Sequence, residues 1–170
     1  MLIQIHDNSS TRRTFKGGIM AVNPSAAAKE SPVGKGTILL ADDEKMALEL
    51  GQIVLEGFGY RVLVAKDGEE AVSLYREHSG EVDLVILDIQ MPRLDGPGAL
   101  VQLKHIDPAV KVLAVTGSCP QVAADLMLSR GAGAVLHKPY QALELATAVQ
   151  QMLLSRRTSA AGVGHDGKGI

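Results

Sequence analysis

Five short apolar runs, each ending on polar or charged residues and separated from the next by a stretch of helical period, constrain this chain more than any other feature. The runs are Thr37–Ala41, Tyr60–Ala65, Val82–Leu87, Val110–Val115 and Ala134–His137. Each is far too short to cross a membrane and has the length of a strand buried on both faces. Helical patterns fill the intervals: from Glu44 to about Gly57, Glu69 to His78, about 97 to 105, Pro120 to Arg130, and about Tyr140 to Leu154. Met46, Leu50, Ile53 and Val54 share one face of the first, Ala71, Val72 and Tyr75 one face of the second, and Leu145, Val149 and Met152 one face of the last. Gly57, Gly59, Asp67-Gly68, Asp95-Gly96-Pro97, Gly131 and Gly133 punctuate the sequence between elements. Buried strands alternating with helical crossovers predict an α/β domain, a doubly wound parallel sheet with helices on both faces. No internal repeat is visible.

The third run carries the most chemistry. Leu84-Val85-Ile86-Leu87 ends on Asp88, and Pro92 and Asp95-Gly96-Pro97 then force a loop. An open parallel sheet places its ligands outside the carboxyl ends of its strands. The first run ends on Asp42-Asp43, the fourth on Thr116 and the fifth on Lys138-Pro139, so all share that edge with Asp88. Three carboxylates in one pocket repel unless a cation neutralises them. An all-oxygen donor set favours Mg²⁺, which keeps waters and commonly binds a phosphate as well. A hydroxyl from Thr116 and a mobile charge from Lys138 suit the oxygens of a phosphoryl group in transit. Asp88, central in that set, is placed as a nucleophile that would form an acyl phosphate. Each of these residues alone is ordinary cap or loop chemistry; their arrival on four strand ends of one edge is the signal.

Composition narrows the alternatives. Aromatic residues make up only 3% of the 170 residues and Trp is absent, which leaves no stacking platform for single-stranded nucleic acid. Residues 36–155 carry nine basic and sixteen acidic side chains, net −7, which disfavours direct nucleic-acid binding and suits a cation site. The flanks are basic, net +3 over residues 1–35 and net +2 over 156–170. Residues 1–35 read as an irregular extension and 156–170 as a disordered tail. Cys119 is the single cysteine, so an internal disulfide and a multi-cysteine zinc site are excluded; it reads as a small buried residue. Leu2-Ile3 is followed at once by polar residues, so no signal-peptide core is present and a cytoplasmic protein with no membrane contact is expected. Gly34-Lys35-Gly36-Thr37 suggests a phosphate-binding loop, but Gly36 stands where a Ser or Thr is required and a strand follows in place of a helix.

On Asp42-Asp43-Glu44, Asp88 with Met91-Pro92 and Asp95-Gly96, Thr116, and Lys138-Pro139, the segment from about 36 to 155 resembles the receiver domain of two-component response regulators. The resemblance implies the flavodoxin-like strand order 2-1-3-4-5 in a single domain. It implies that Asp88 takes a phosphoryl group from a phosphohistidine on a sensor histidine kinase or histidine phosphotransfer protein. Asp43, Asp88 and the backbone carbonyl of Gln90 would ligate Mg²⁺, with Asp42 assisting through water. Thr116 and Lys138 would bind the phosphoryl oxygens, and the Lys138-Pro139 bond would be cis. Such a receiver is a signalling module that catalyses only its own phosphorylation and dephosphorylation.

Two positions depart from the family pattern. Val135 stands three residues before Lys138, where an aromatic switch residue is common, so coupling must run through Thr116, the loop after it and the fourth helix. Gly117 follows Thr116 where Ala is common; the softer, roomier loop predicts a short-lived phosphoform. No segment after Leu154 has the pattern of a DNA-reading or catalytic module, so a stand-alone receiver signalling to a downstream protein, or relaying phosphate, is expected. The start, Gly34 to Asp43, also resembles the junction before receivers fused to histidine kinases. A phosphorylation-independent binding module is the main alternative, although no acid, Thr or Lys is lost. An aspartyl-phosphate phosphatase is the weaker one, because Gln90 stands where such enzymes place a second acid.

Overall fold

Thr37–Ala41 forms a strand whose five side chains are all buried, and the rest of the fold is laid out around it. The computed structural model describes residues 35–117 and 120–155. The strands are β1 (Thr37–Ala41), β2 (Arg61–Ala65), β3 (Val82–Asp88), β4 (Val112–Thr116) and β5 (Ala134–His137). The helices are α1 (Lys45–Gly57), α2 (Gly68–Glu77), α3 (Gly96–Ile106), α4 (Pro120–Ser129) and α5 (Ala142–Leu154). All pairings are parallel and the order is β2-β1-β3-β4-β5, the flavodoxin-like arrangement.

The period of two along β1 divides the core into two layers. Leu39 and Ala41 join Val85 and Leu87 of β3 under α2, α3 and α4, through Ala71, Tyr75, Leu100, Leu103 and Met127. Ile38 and Leu40 join Leu84 and Ile86 under α1 and α5, through Leu55, Leu145, Val149 and Met152. Each fully buried Leu or Ile is worth roughly 1.5–3 kcal/mol, so this aliphatic sheet holds the domain without help from aromatics. Tyr75, the largest of the fully buried side chains, donates its hydroxyl to Asp107 Oδ2 at 2.9 Å. Helix starts are fixed by capping: Asp67 Oδ1 accepts from Glu70 N–H at 2.9 Å for α2, and Asp95 Oδ1 from Gly98 N–H at 2.8 Å for α3.

The alternation read from the sequence is present in full, with small shifts at element ends. β3 includes Asp88, and β4 starts at Val112 and includes Thr116. The face of α1 needs correction. Of that face Val54 packs half-buried against the core, but Met46, Leu50 and Ile53 are 75%, 62% and 69% exposed, and the buried residues are Gly51 and Leu55. The physical reason is Gly51: it lies so close to the Leu40 side chain that a Cβ would come within 2.8 Å of it. The helix turns its smallest residue to the sheet, and an apolar stripe is left on the outside. Residues 1–34 and 156–170, and Cys119, lie outside the described residues. No described helix is long and apolar enough to cross a membrane.

Candidate functional site

The register of the sheet brings the site together. Ala41 of β1 pairs with Leu87 of β3, so the next residues, Asp42 and Asp88, emerge side by side. Asp88 pairs with Val115 of β4, and Thr116 pairs with His137 of β5, which puts Lys138 one step further along the same edge. Lys138 N–H donates to the Thr116 carbonyl at 2.8 Å, tying the ends of β4 and β5 together. The Lys138-Pro139 bond is cis, as the sequence reading expects.

Carboxylate oxygens of Asp42, Asp43 and Asp88 lie within 4.8 Å of one another. Asp42 and Asp88 are buried and Asp43 faces solvent. Lys138 Nζ reaches between the two buried acids, 2.5 Å from Asp42 Oδ2 and 3.3 Å from Asp88 Oδ1. The other oxygen of Asp42 accepts from Glu44 N–H at 3.0 Å, which fixes the turn into α1. Burial pushes the Asp88 carboxyl above the usual carboxylate range; Lys138 and a hydrogen bond from Gln90 N–H oppose the rise, and the charge of Asp42 adds to it. Burial alone would lower the Lys138 ammonium, but the bond to Asp42 and the charge of Asp88 outweigh it and raise it. Lys138 thus stands as a tethered cation where three acids converge. Three hard oxygen donors at this spacing also suit a hard divalent ion such as Mg²⁺.

Of the residues singled out in the sequence, Asp42, Asp43, Asp88 and Lys138 meet in direct contact range. Thr116 is buried at the end of β4 beside them, and Gln90 opens the β3–α3 loop with its side chain exposed. Gly96 packs against the backbone of Asp88 and Ile89 so closely that a Cβ there would collide with both. Gly117 has space among the described residues, where the nearest atoms to an added Cβ are Lys138 Cβ and Cδ at 3.9 Å. Two features of the site region escape the sequence reading. Tyr140, next to Pro139, lines a groove of about 530 Å³ with Met46, Leu50, Val54 and Leu145 beside the acids, and burial raises its phenol. The second is an ion pair between Asp67, at the start of α2, and Arg93, in the β3–α3 loop. The spacing Asp67-x-x-Glu70 is a cap signature that could have placed Asp67 on a helix start; nothing in the sequence pairs it with Arg93.

The family model described as the response regulator receiver domain matches residues 38–150. Among curated relatives, the response regulator GtcR of Aneurinibacillus migulanus is 38% identical over 119 residues, covering 69% of this chain and 47% of the relative. The sensor kinase CckA of Brucella abortus is 36% identical over 134 residues, 75% of this chain and 14% of that protein. The chain thus spans less than half the length of these two relatives. Among solved structures, a receiver domain protein from Clostridium thermocellum superposes with a TM-score of 0.68 at 33% identity, covering 70% of this chain and 94% of that one. A CheX-CheY-BeF3-Mg complex from Borrelia burgdorferi gives 0.67 at 25%, covering 71% and 90%. Sequence, strand order and the convergence of acids at one sheet edge agree: this chain belongs to the response regulator receiver domain family of two-component systems.

Proposed function

We propose that Asp88 is the phosphoacceptor of this receiver and that the chain signals through its phosphorylated state by protein contact or phosphorelay. The observation that carries the reading is the placement of Asp88 between two further acids and the Lys138 ammonium at the carboxyl edge of the sheet. A carboxylate oxygen of Asp88 attacks the phosphorus of a phosphohistidine, the P–N bond breaks, and the imidazole departs. The product is an acyl phosphate, which water later hydrolyses back to carboxylate and phosphate. Asp42, Asp43, Asp88 and the Gln90 carbonyl are the groups that would hold Mg²⁺. The ion, when bound, offsets the negative charge shared by phosphoryl group and carboxylates. Lys138 leaves Asp42 to meet a phosphoryl oxygen, and the Thr116 hydroxyl donates to another. Val135 offers no aromatic ring to rotate, so the readout runs through Thr116 and the loop into α4. The room beside Gly117 admits water and favours a short-lived phosphoform.

The partners are a histidine kinase or phosphotransfer protein and a downstream protein. The exposed Met46, Leu50 and Ile53 beside the groove offer an apolar seat for the phosphodonor next to Asp88.

Incubation with acetyl phosphate and Mg²⁺ followed by intact mass tests the chemistry. The parent gains one phosphoryl group, which hydroxylamine removes, and Asp88→Asn gains none. An unmodified parent under every donor would instead favour the phosphorylation-independent binding module.

A further inference from the structure

We infer that the Arg93–Asp67 ion pair is a positioning device for the metal-binding loop, holding the backbone that carries the Gln90 carbonyl. The inference rests on the reading of Asp88 and its neighbours as a metal-assisted phosphoacceptor site.

The β3–α3 loop is pinned at its base. Ile89 N–H donates to the Val115 carbonyl at 2.9 Å, and the Ile89 carbonyl accepts from Gly96 N–H at 3.0 Å. Gln90 to Asp95 therefore project as a loop closed at both ends. At its tip, Leu94 N–H donates to the Pro92 carbonyl at 2.7 Å, a three-residue turn with Arg93 at its centre. Arg93 has φ of 64°, and it is the single non-glycine residue with positive φ among the described residues. Such a conformation is disfavoured for a side chain of this size and persists where the surroundings impose it.

Two contacts impose it, both to the start of α2. The Leu94 carbonyl lies so close over Gly68 that a Cβ there would collide with it. The Arg93 guanidinium pairs with Asp67, whose side chain is completely buried while that of Arg93 is 51% exposed. Asp67 Oδ2 is buried without a hydrogen-bond partner among the described groups, and the Arg93 guanidinium is the cation set against it.

Helix capping does not require this pair. A neutral Ser, Thr or Asn would accept from Glu70 N–H as Asp67 Oδ1 does. A guanidinium beside a helix N-terminus is the wrong sign for the helix dipole. A fully buried charge is costly unless paired. The charge on Asp67 therefore makes sense through Arg93, and Arg93 through the loop it anchors. With base and tip both fixed, the three residues between Ile89 and Arg93 have little freedom, and Gln90 is the first of them. A metal ligand supplied by backbone can be oriented only by holding the backbone. Arg93 does for a carbonyl what an outer-shell hydrogen bond does for a histidine ligand.

Arg93→Gln and Asp67→Asn in the full chain test this; Asn keeps the α2 cap. Mg²⁺ is titrated by ¹H–¹⁵N NMR with MgCl₂ alone as the probe. Both variants bind Mg²⁺ roughly tenfold more weakly than the parent, the scale seen when outer-shell partners of metal ligands are removed. Arg93→Lys recovers most of the loss. Without metal, amide exchange at Gln90 and Met91 speeds up in Arg93→Gln while that of β1 and β3 is unchanged. Mg²⁺ affinity within twofold of the parent in Arg93→Gln, with unchanged exchange at Gln90, overturns the positioning role. So does a loss of protection spread over β1 and β3, which marks a purely structural pair. If the parent itself shows no Mg²⁺ response, the site reading fails and the inference with it, whereas a binding parent with an equally binding variant removes the inference alone.

Discussion

At the residue scale the site is a balance of buried charges with one internal cation. Asp88 is held above its ordinary range chiefly by burial, so in the window between its unfolded and folded values the folded chain binds its proton more tightly. Stability therefore falls as pH rises through that window, which begins near the unfolded value of about 4. At neutral pH the charged Asp88 works against folding. Asp88→Asn is accordingly expected to raise stability at pH 7, with the gain shrinking as pH approaches the unfolded carboxylate value of about 4. Lys138 keeps Asp42 as its partner at 2.5 Å in that variant, so no cation is orphaned. Thermal melts of parent and variant from pH 4 to 8 check this; equal melting points across the range would mean that burial of Asp88 costs nothing.

At the element scale the determining event is which side of α1 meets the sheet. An apolar stripe at helical spacing is normally the buried one, and here it is the outer one because Gly51 permits a closer approach over Leu40. Leu50→Glu should therefore leave the melting point nearly unchanged, within about 0.5 kcal/mol as for other surface changes. Labelling by acetyl phosphate should be normal in it, and transfer from a phosphohistidine protein slowed at least tenfold. Equal slowing with both donors would place Leu50 in the chemistry and not in docking. The same helix marks the boundary of what the sequence discloses. Strand positions, their parallel pairing and the arrival of Asp42, Asp88 and Thr116 at one edge follow from period and punctuation, because a buried strand must be apolar and its end must turn. The choice between two apolar faces of α1, and the pairing of Asp67 with Arg93, depend on the fit of one side chain against another distant in sequence. No local pattern encodes that fit.

At the scale of the whole molecule, the core does not depend on an ion. Both hydrophobic layers close beneath the carboxyl edge, and Lys138 already answers two of the three acids. A chelator such as EDTA should leave the melting point where it was. Mg²⁺ at ten times its dissociation constant should add about 1.4 kcal/mol, a rise of a few degrees for a domain of this size. Unfolding by chelator would reveal a structural metal, which the packing does not call for.

The order of the strands has a consequence for how the chain comes into being. β1 is the first of the described strands to emerge from the ribosome, and it pairs with β2 on one side and β3 on the other. By the time residue 88 has been made, all three acids exist, while the lysine that answers them is fifty residues from synthesis. A nascent chain stalled in that interval carries an unneutralised acidic mouth and two unclosed hydrophobic faces. The residue after β5 brings the balancing charge, so the site becomes electrically complete only when the sheet is whole and α5 is still to come.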